Sequence, residues 1–245
     1  MKLNLIMPMG GGGTRFGNKG YNIPKPLIPI YGKPFFYWAA RSIEKYVELN
    51  SLTFVVLKEH IEKYGIDENI YKYYPDAHIE IIPEILQGAV LTCMAGIRMI
   101  PDGEPIMFND CDHLFICNEF YDFCKRDQYC DCSGALLTFH SDEDIFSYVA
   151  YGSDGSIIRT VEKEVISNDA ICGAYFFKDK RIFEQSAEEY LARCVYKEFF
   201  VSGIYNIMAE HGERVLAMHT DEHVSFGTPN EYENAKSNNT YRKLL

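Results

Sequence analysis

The stretch MPMGGGGTRFGNKGYNIPKPLIPIYGKP, residues 7–34, constrains this chain more than any other. Four consecutive glycines, Gly10, Gly11, Gly12 and Gly13, follow the apolar run LNLIMP (3–8), which reads as a buried parallel strand. Backbone without Cβ atoms lets N–H groups approach an anion closely. Arg15 and Lys25 add fixed positive charge of the kind that suits phosphate. The loop is therefore expected to leave the first strand of an α/β sheet, at the strand end where such folds bind ligands. Two nucleotide motifs fail on inspection. A P-loop needs Lys-[Ser/Thr] after its last glycine, but Asn18 follows Gly17. A dinucleotide fingerprint needs a third glycine where Phe16 stands. A plain flexible turn is the bland alternative, and the convergence of Arg15 and Lys25 on the loop speaks against it.

Apolar runs and helical periodicity alternate through about residue 130. PFFYWAARSIEKYVEL (34–49) has helical spacing with Pro34 at the first turn. LTFVVL (52–57), HIEIIP (78–83) and EPIMFND (104–110) read as strands, and GAVLTCMAGIRMI (88–100) as a small-residue helix. This alternation predicts an α/β fold with a mostly parallel central sheet flanked by helices. The second half reads as strand-rich: SGALLTF, YVAYG, SIIRTVEK and AICGAYFF, with Asp154-Gly155 as a hairpin signal. Helices are expected near 179–192 and 200–211, then the strand RVLAMH and a last helix from about Pro229. No linker separates the halves, so residues 1–245 are expected to form one domain.

Charge and cysteine narrow the function. The formal net charge of -11 argues against nucleic-acid backbone as partner. No run of about 18 apolar residues indicates a membrane span, and MKLNLIMPMG is too quickly glycine-rich for a signal peptide. A cytoplasmic location is expected. Five of the eight cysteines fall between Cys111 and Cys132, without a C-x2-C pair. They read as small buried hydrophobes of a reducing compartment. Tyr71, Tyr73 and Tyr74 read as packing residues, and homo-oligomer formation is left open.

GGGGTRFG…PKPLIPIYGKPFFYW resembles the signature of nucleotidyltransferases that activate sugar phosphates, the glucose-1-phosphate thymidylyl- and uridylyltransferase relatives. QGAVLT (87–92), FNDCDHLF (108–115), VEKEVISNDAICGAYFF (161–177) and FGTPNEY (226–232) continue the likeness along nearly the whole chain. The resemblance implies a Rossmann-like nucleotidyltransferase fold, with residues 1–130 binding nucleotide and 131–245 binding the acceptor. It implies transfer of a nucleotidyl group from an NTP to a phosphorylated small molecule, releasing pyrophosphate. Arg15 and Lys25 are the catalytic candidates. Gly10, Gly11, Gly12, Gly13, Thr14, Gln87 and Gly88 are the nucleotide-binding ones, and Gln87 offers a donor and an acceptor to a pyrimidine edge. Glu162, Lys163 and Gly173 are assigned to the acceptor. Asp110 and Asp112, two apart at a strand end, suit Mg²⁺, with Mn²⁺ able to substitute; the family pattern favours Asp112 as direct ligand.

One position departs from the pattern. Many relatives carry a second metal carboxylate two residues before the Gly-Thr-Pro glycine, where this chain has Ser225. Either Asp112 works with Asp110 or water, or Asp221 or Glu222 reaches in. The departure points to a branch tied to capsule and surface-polymer pathways, whose acceptors include unusual sugars. Two alternatives stand beside this reading. One is a CTP-dependent cytidylyltransferase acting on a non-sugar phosphate, such as a phosphorylated amino acid or alcohol. The other is a nucleotide-sugar binding protein without catalysis.

Overall fold

The computed structural model describes residues 2–125, 132–153 and 155–245. The Cys130 and Asp154 readings lie outside the described residues. In chain order the elements begin with β1 (Leu3–Met9), α1 (Thr14–Gly17), β2 (Pro29–Ile30), β3 (Lys33–Pro34), α2 (Phe35–Glu44), β4 (Leu49–Leu57), α3 (Lys58–Tyr64) and α4 (Ile66–Tyr73). Then come β5 (His78–Ile82), α5 (Ala89–Gly96), β6 (Ile106–Asn109), β7 (His113–Ile116), α6 (Asn118–Lys125) and β8 (Gly134–His140). The rest is β9 (Ser147–Tyr151), β10 (Ile157–Glu162), β11 (Asp169–Phe177), α7 (Lys180–Arg193), α8 (Ile204–Glu210), β12 (Val215–His219), β13 (Glu222–Ser225), α9 (Pro229–Ala235) and α10 (Tyr241–Leu244).

The apolar runs become strands buried on both faces, and alternation divides them between two cores. Leu5, Met7 and Met9 of β1 join one cluster with α2, through Phe35, Phe36 and Trp38. Ile6 points the other way, into a cluster with Val90 and Cys93 of α5. Phe54 and Val56 of β4 follow the first face, Val55 and Leu57 the second. Helix α2 stops at Glu44, short of the expected 49, because the chain must turn to start β4 at Leu49.

β1, β4, β5 and β6 are parallel, in the spatial order β5-β4-β1-β6. From β1 the chain builds β4 and β5 on one side and then returns to lay β6 on the other. The loops leaving β1 and β6 therefore diverge at a topological switch point, where α/β folds open a crevice. β11 joins β6 antiparallel and carries the sheet into the second half, where it pairs with β8 and β9. One nine-stranded sheet thus spans both halves.

A small ribbon that the sequence reading did not anticipate closes over this crevice. β7 pairs antiparallel with β13, setting His113 opposite Ser225. Cys111, Cys117, Cys124 and Cys132 are buried, as expected of small hydrophobes. Tyr73 and Tyr74 pack on Phe36 and Tyr37, while Tyr71 is exposed.

Candidate active site

Two adjoining cavities meet at the carboxyl ends of β1 and β6 and share Asp110 and Asp112. The smaller one is walled by Gly11, Lys25 and Pro26. The larger runs between the halves, past Arg15, Glu162, Gly173, Ser225 and Glu231.

Lys25 heads a short 3-10 turn, Lys25–Leu27, with Pro24 before it and Pro26 after it. The prolines fix the backbone on both sides, which aims the lysine. Its Nζ donates to Asp112 Oδ2 at 2.6 Å, and both side chains are about a quarter exposed, 27 % and 23 %. Burial works against both charges. The pairing outweighs it, so Lys25 sits above the ordinary lysine value and Asp112 below the usual carboxylate range. Asp110 has the opposite fate. Burial, reinforced by the Asp112 charge, pushes its carboxyl up to about 7 despite Lys25. Two carboxylates two residues apart thus differ in affinity for a proton because only one holds the cation.

Gly173 explains how Asp110 fits. It lies in β11 where the pairing with β8 shifts register, at φ 86°, and a Cβ on it would lie 2.7 Å from Asp110 Oδ2. Its carbonyl accepts from the Asp110 N–H at 2.9 Å. The sequence reading assigned Gly173 to the acceptor; the structure places it in the wall of the larger cavity, packed beside Asp110.

The four glycines are not equivalent. Gly10 is buried beneath Ile82 and Thr92, Gly11 is open to the cleft, and Gly13 begins α1 in the left-handed region beside the Lys25 stem. Thr14 and Arg15 follow exposed on α1, and Arg15 reaches the larger cavity. Gly12 and Gly13 line a separate hollow with Tyr21, Pro24 and His60. Gln87 and Gly88 lie outside the lining of the shared cleft. Their backbone instead clasps the segment before α8: Phe199 N donates to the Gln87 carbonyl, and Val90 N to the Phe199 carbonyl.

From the second half of the chain Glu162 lines the cavity, with Ser147 Oγ donating to it at 2.5 Å and Ser202 Oγ also donating. Lys163 lies outside that lining. It is exposed, holds its backbone at φ 56°, and carries its ammonium 5.5 Å from the Phe200 ring centre. A left-handed lysine is uncommon and strained by about 1–3 kcal/mol. The Lys163 N–H bond to the Phe146 carbonyl holds it there.

His113 and His223 face each other across the β7–β13 ribbon, rings 5.6 Å apart, and His223 stacks on Phe139. Burial holds His113 down at about 4 and His223 well below the ordinary imidazole value; His113 opposes and Asp112 favours the His223 charge. Unfolded imidazoles take up protons as pH falls through about 6.5, and the folded ones resist. Stability is therefore lost on the acid side, by up to about 1.4 kcal/mol per group for each pH unit below that point. Asp110 acts in the opposite sense. The expected result is that acidification from pH 7.5 to 5 lowers the urea midpoint further in wild type than in His223→Gln. Parallel declines would show that His223 is not held neutral.

Asp221 and Glu222 are both spent elsewhere. Asp221 Oδ2 accepts from the Asn118 N–H at 2.7 Å, and Glu222 pairs with Lys243 and Thr240. The carboxylate beside Ser225 is Glu231, whose Oε1 accepts from Ser225 Oγ at 2.6 Å. Sequence reasoning missed it. Thr228-Pro229-Asn230-Glu231 has the form of a helix-capping box, and Thr228 does cap α9 by accepting from the Glu231 N–H. That local reading hides a side chain facing the cleft.

The chain matches the nucleotidyl transferase family over residues 3–241 and belongs to it. No curated protein matches it. Its backbone is similar to that of a nucleoside-diphosphate-sugar pyrophosphorylase from Vibrio cholerae RC9, with TM-score 0.82 and 22% identity over 96% of this chain and 100% of that one. It is similar to UDP-glucose pyrophosphorylase complexed with UDP-glucose, with TM-score 0.77, 19% identity and full coverage of both chains. The inositol-1-phosphate CTP transferase from T. maritima has TM-score 0.75 and 12% identity, over 100% of this chain and 94% of that one. These likenesses establish the Rossmann-like nucleotidyltransferase fold.

The family is typically dependent on a divalent metal. Among the described residues no three His, Cys, Asp or Glu side chains converge to hold a metal alone. The site nevertheless fits one: Asp112 and Asp110 offer hard oxygen donors, and Gly227 leaves open the space into which Asp112 Oδ2 points. Such incomplete protein coordination suits Mg²⁺, which keeps waters and phosphate oxygens.

Proposed function

We propose that this chain transfers a nucleotidyl group from a pyrimidine NTP to a sugar phosphate, with Mg²⁺ or Mn²⁺, and releases pyrophosphate. The observation that carries the reading is the Lys25–Asp112 pair beside Asp110, set with Arg15 at the switch-point cleft of a nucleotidyl transferase. An acceptor phosphate oxygen attacks the α-phosphorus, and the bond to the oxygen bridging α and β breaks. Both reactants are anions, so positioning and charge dominate the barrier. A cation 4 Å from a phosphate oxygen contributes about 4 kcal/mol at an effective dielectric near 20. Lys25 exchanges Asp112 for nucleotide phosphate, and Arg15, exposed on α1, holds the transferring phosphoryl and the leaving pyrophosphate. Asp112 and Asp110 would hold a divalent cation, which would supply charge shielding between the two anions.

In this reading residues 1–130 hold the nucleotide and 131–245 the acceptor, in one domain, with Gln87 at the base. Work in a capsule or surface-polymer pathway is consistent with Ser225. The test is pyrophosphate release over a matrix of ATP, GTP, CTP, UTP and dTTP against phosphorylated sugars, alcohols and amino acids. Turnover is expected with a pyrimidine NTP and a sugar phosphate. Turnover confined to non-sugar phosphates overturns the acceptor assignment, and nucleotide-sugar binding without turnover overturns the catalytic one. Lys163→Ala is expected to raise the acceptor KM about 10-fold or more, as for a lost charge-assisted contact, and to leave the NTP KM within about 2-fold. Equal changes in both would remove Lys163 from the acceptor phosphate.

A further inference from the structure

The shared cleft has an unbalanced charge. Asp110, Asp112, Glu162 and Glu231 line it, against Arg15 and Lys25, and Lys25 is already paired with Asp112. A triphosphate entering beside those carboxylates meets net repulsion unless a cation enters with it. Two of the four approach one gap from different parts of the chain. A Cβ on Gly227 would lie 2.5 Å from Asp112 Oδ2 and 3.6 Å from Glu231 Oε2, so the two oxygens face the same space. Phe226 N donates to the Asp112 carbonyl at 2.9 Å, which ties the Gly227 segment to the strand end. The other Glu231 oxygen is held by the Ser225 hydroxyl, so the free one is oriented. The wall of the cleft includes His113, 2 % exposed, whose Nδ1 has no hydrogen-bond partner among the described residues. That is a buried polar atom of the kind a ligand or its water satisfies.

We infer that Glu231, oriented by Ser225, is a ligand of the divalent cation opposite Asp112, so that the carboxylate missing at position 225 is supplied from the first turn of α9. The inference rests on the metal reading of Asp112 given above. Ser225 is then a positioning residue whose hydroxyl aims Glu231. The arrangement sets a carboxylate carried on a helix, instead of a strand, opposite Asp112. Hard divalent cations require anionic oxygen, and an amide in its place weakens them.

Binding of Mn²⁺ alone, followed by electron paramagnetic resonance of the free ion, reads this without turnover. Asp112→Asn and Glu231→Gln are each expected to weaken Mn²⁺ binding by about 10-fold or more, and Ser225→Ala by less, in the range typical of outer-shell partners or below it. The double variant Ser225→Asp/Glu231→Gln is expected to recover Mn²⁺ affinity, since it returns the carboxylate to β13. Urea midpoints for Glu231→Gln near wild type exclude a folding defect, as the amide oxygen still accepts from Ser225. Unchanged Mn²⁺ affinity in Glu231→Gln, with loss in Asp112→Asn, overturns the inference and leaves the metal reading standing. Unchanged affinity in both variants, or no binding to wild type, overturns both. Retained Mn²⁺ affinity with a raised acceptor KM in Glu231→Gln places the side chain on the acceptor and overturns the inference as well.

Discussion

Asp112→Asn is expected to reduce turnover by about 10³-fold or more with any accepted substrate pair, at saturating Mg²⁺. Two losses combine. The amide cannot supply the anionic oxygen that a hard divalent cation needs, and a bound cation is worth several kcal/mol of transition-state charge stabilisation. The same change removes the charge partner of Lys25, now 2.6 Å away. Burial then acts on the Lys25 ammonium without the charge and hydrogen bond of Asp112 that oppose it. Lys25 thus loses the orientation it holds before nucleotide arrives. Steady-state assays with a Mg²⁺ titration check this. Activity within about 10-fold of wild type would show that Asp112 neither binds the cation nor aims Lys25. Asp110→Asn is expected to do less, because it leaves the Lys25–Asp112 ion pair in place.

Much of this site was legible because its chemistry is local. The glycine run after an apolar strand, the Pro-Lys-Pro bracket around Lys25 and the strand-end pair Asp110/Asp112 lie within short stretches. Each converts into geometry through one turn or one strand end. The parallel half of the sheet was legible for a similar reason: strands buried on both faces, such as LNLIMP and LTFVVL, are continuous apolar runs. What escaped is what depends on distant segments meeting. β7 and β13 are four residues each, and EHVS has no apolar alternation to announce a strand. Their pairing brings Ser225 to His113 and, through Ser225, Glu231 to the cleft. The left-handed backbone of Lys163 left no trace either, since lysine carries no preference for that region. It follows from the hydrogen bond to Phe146 in the β8–β9 connection.

Gly88→Ala is expected to destabilise the protein by more than about 4 kcal/mol, or to prevent folding, as a mutation that combines a backbone clash with left-side strain. Gly88 precedes α5 at φ 105°, a conformation that side-chain-bearing residues rarely adopt. A Cβ there would lie 2.3 Å from the Phe199 amide nitrogen and 2.7 Å from its carbonyl oxygen. Both atoms are backbone, so no rotamer change relieves the contact. The segments are also bonded on either side of the contact, through Gln87 O and Val90 N to Phe199. Moving them apart breaks those bonds and shifts Phe200 and Val201, which line the larger cavity. The glycine that resemblance places beside the nucleotide base is thus required by a crossing of two segments, and its conformation couples the α5 entrance to the wall of the larger cavity. Urea unfolding followed by circular dichroism checks the stability. An alanine variant within about 1 kcal/mol of wild type would show that the two segments separate freely. A stable variant with a raised acceptor KM would confine the damage to the coupling of the two sides.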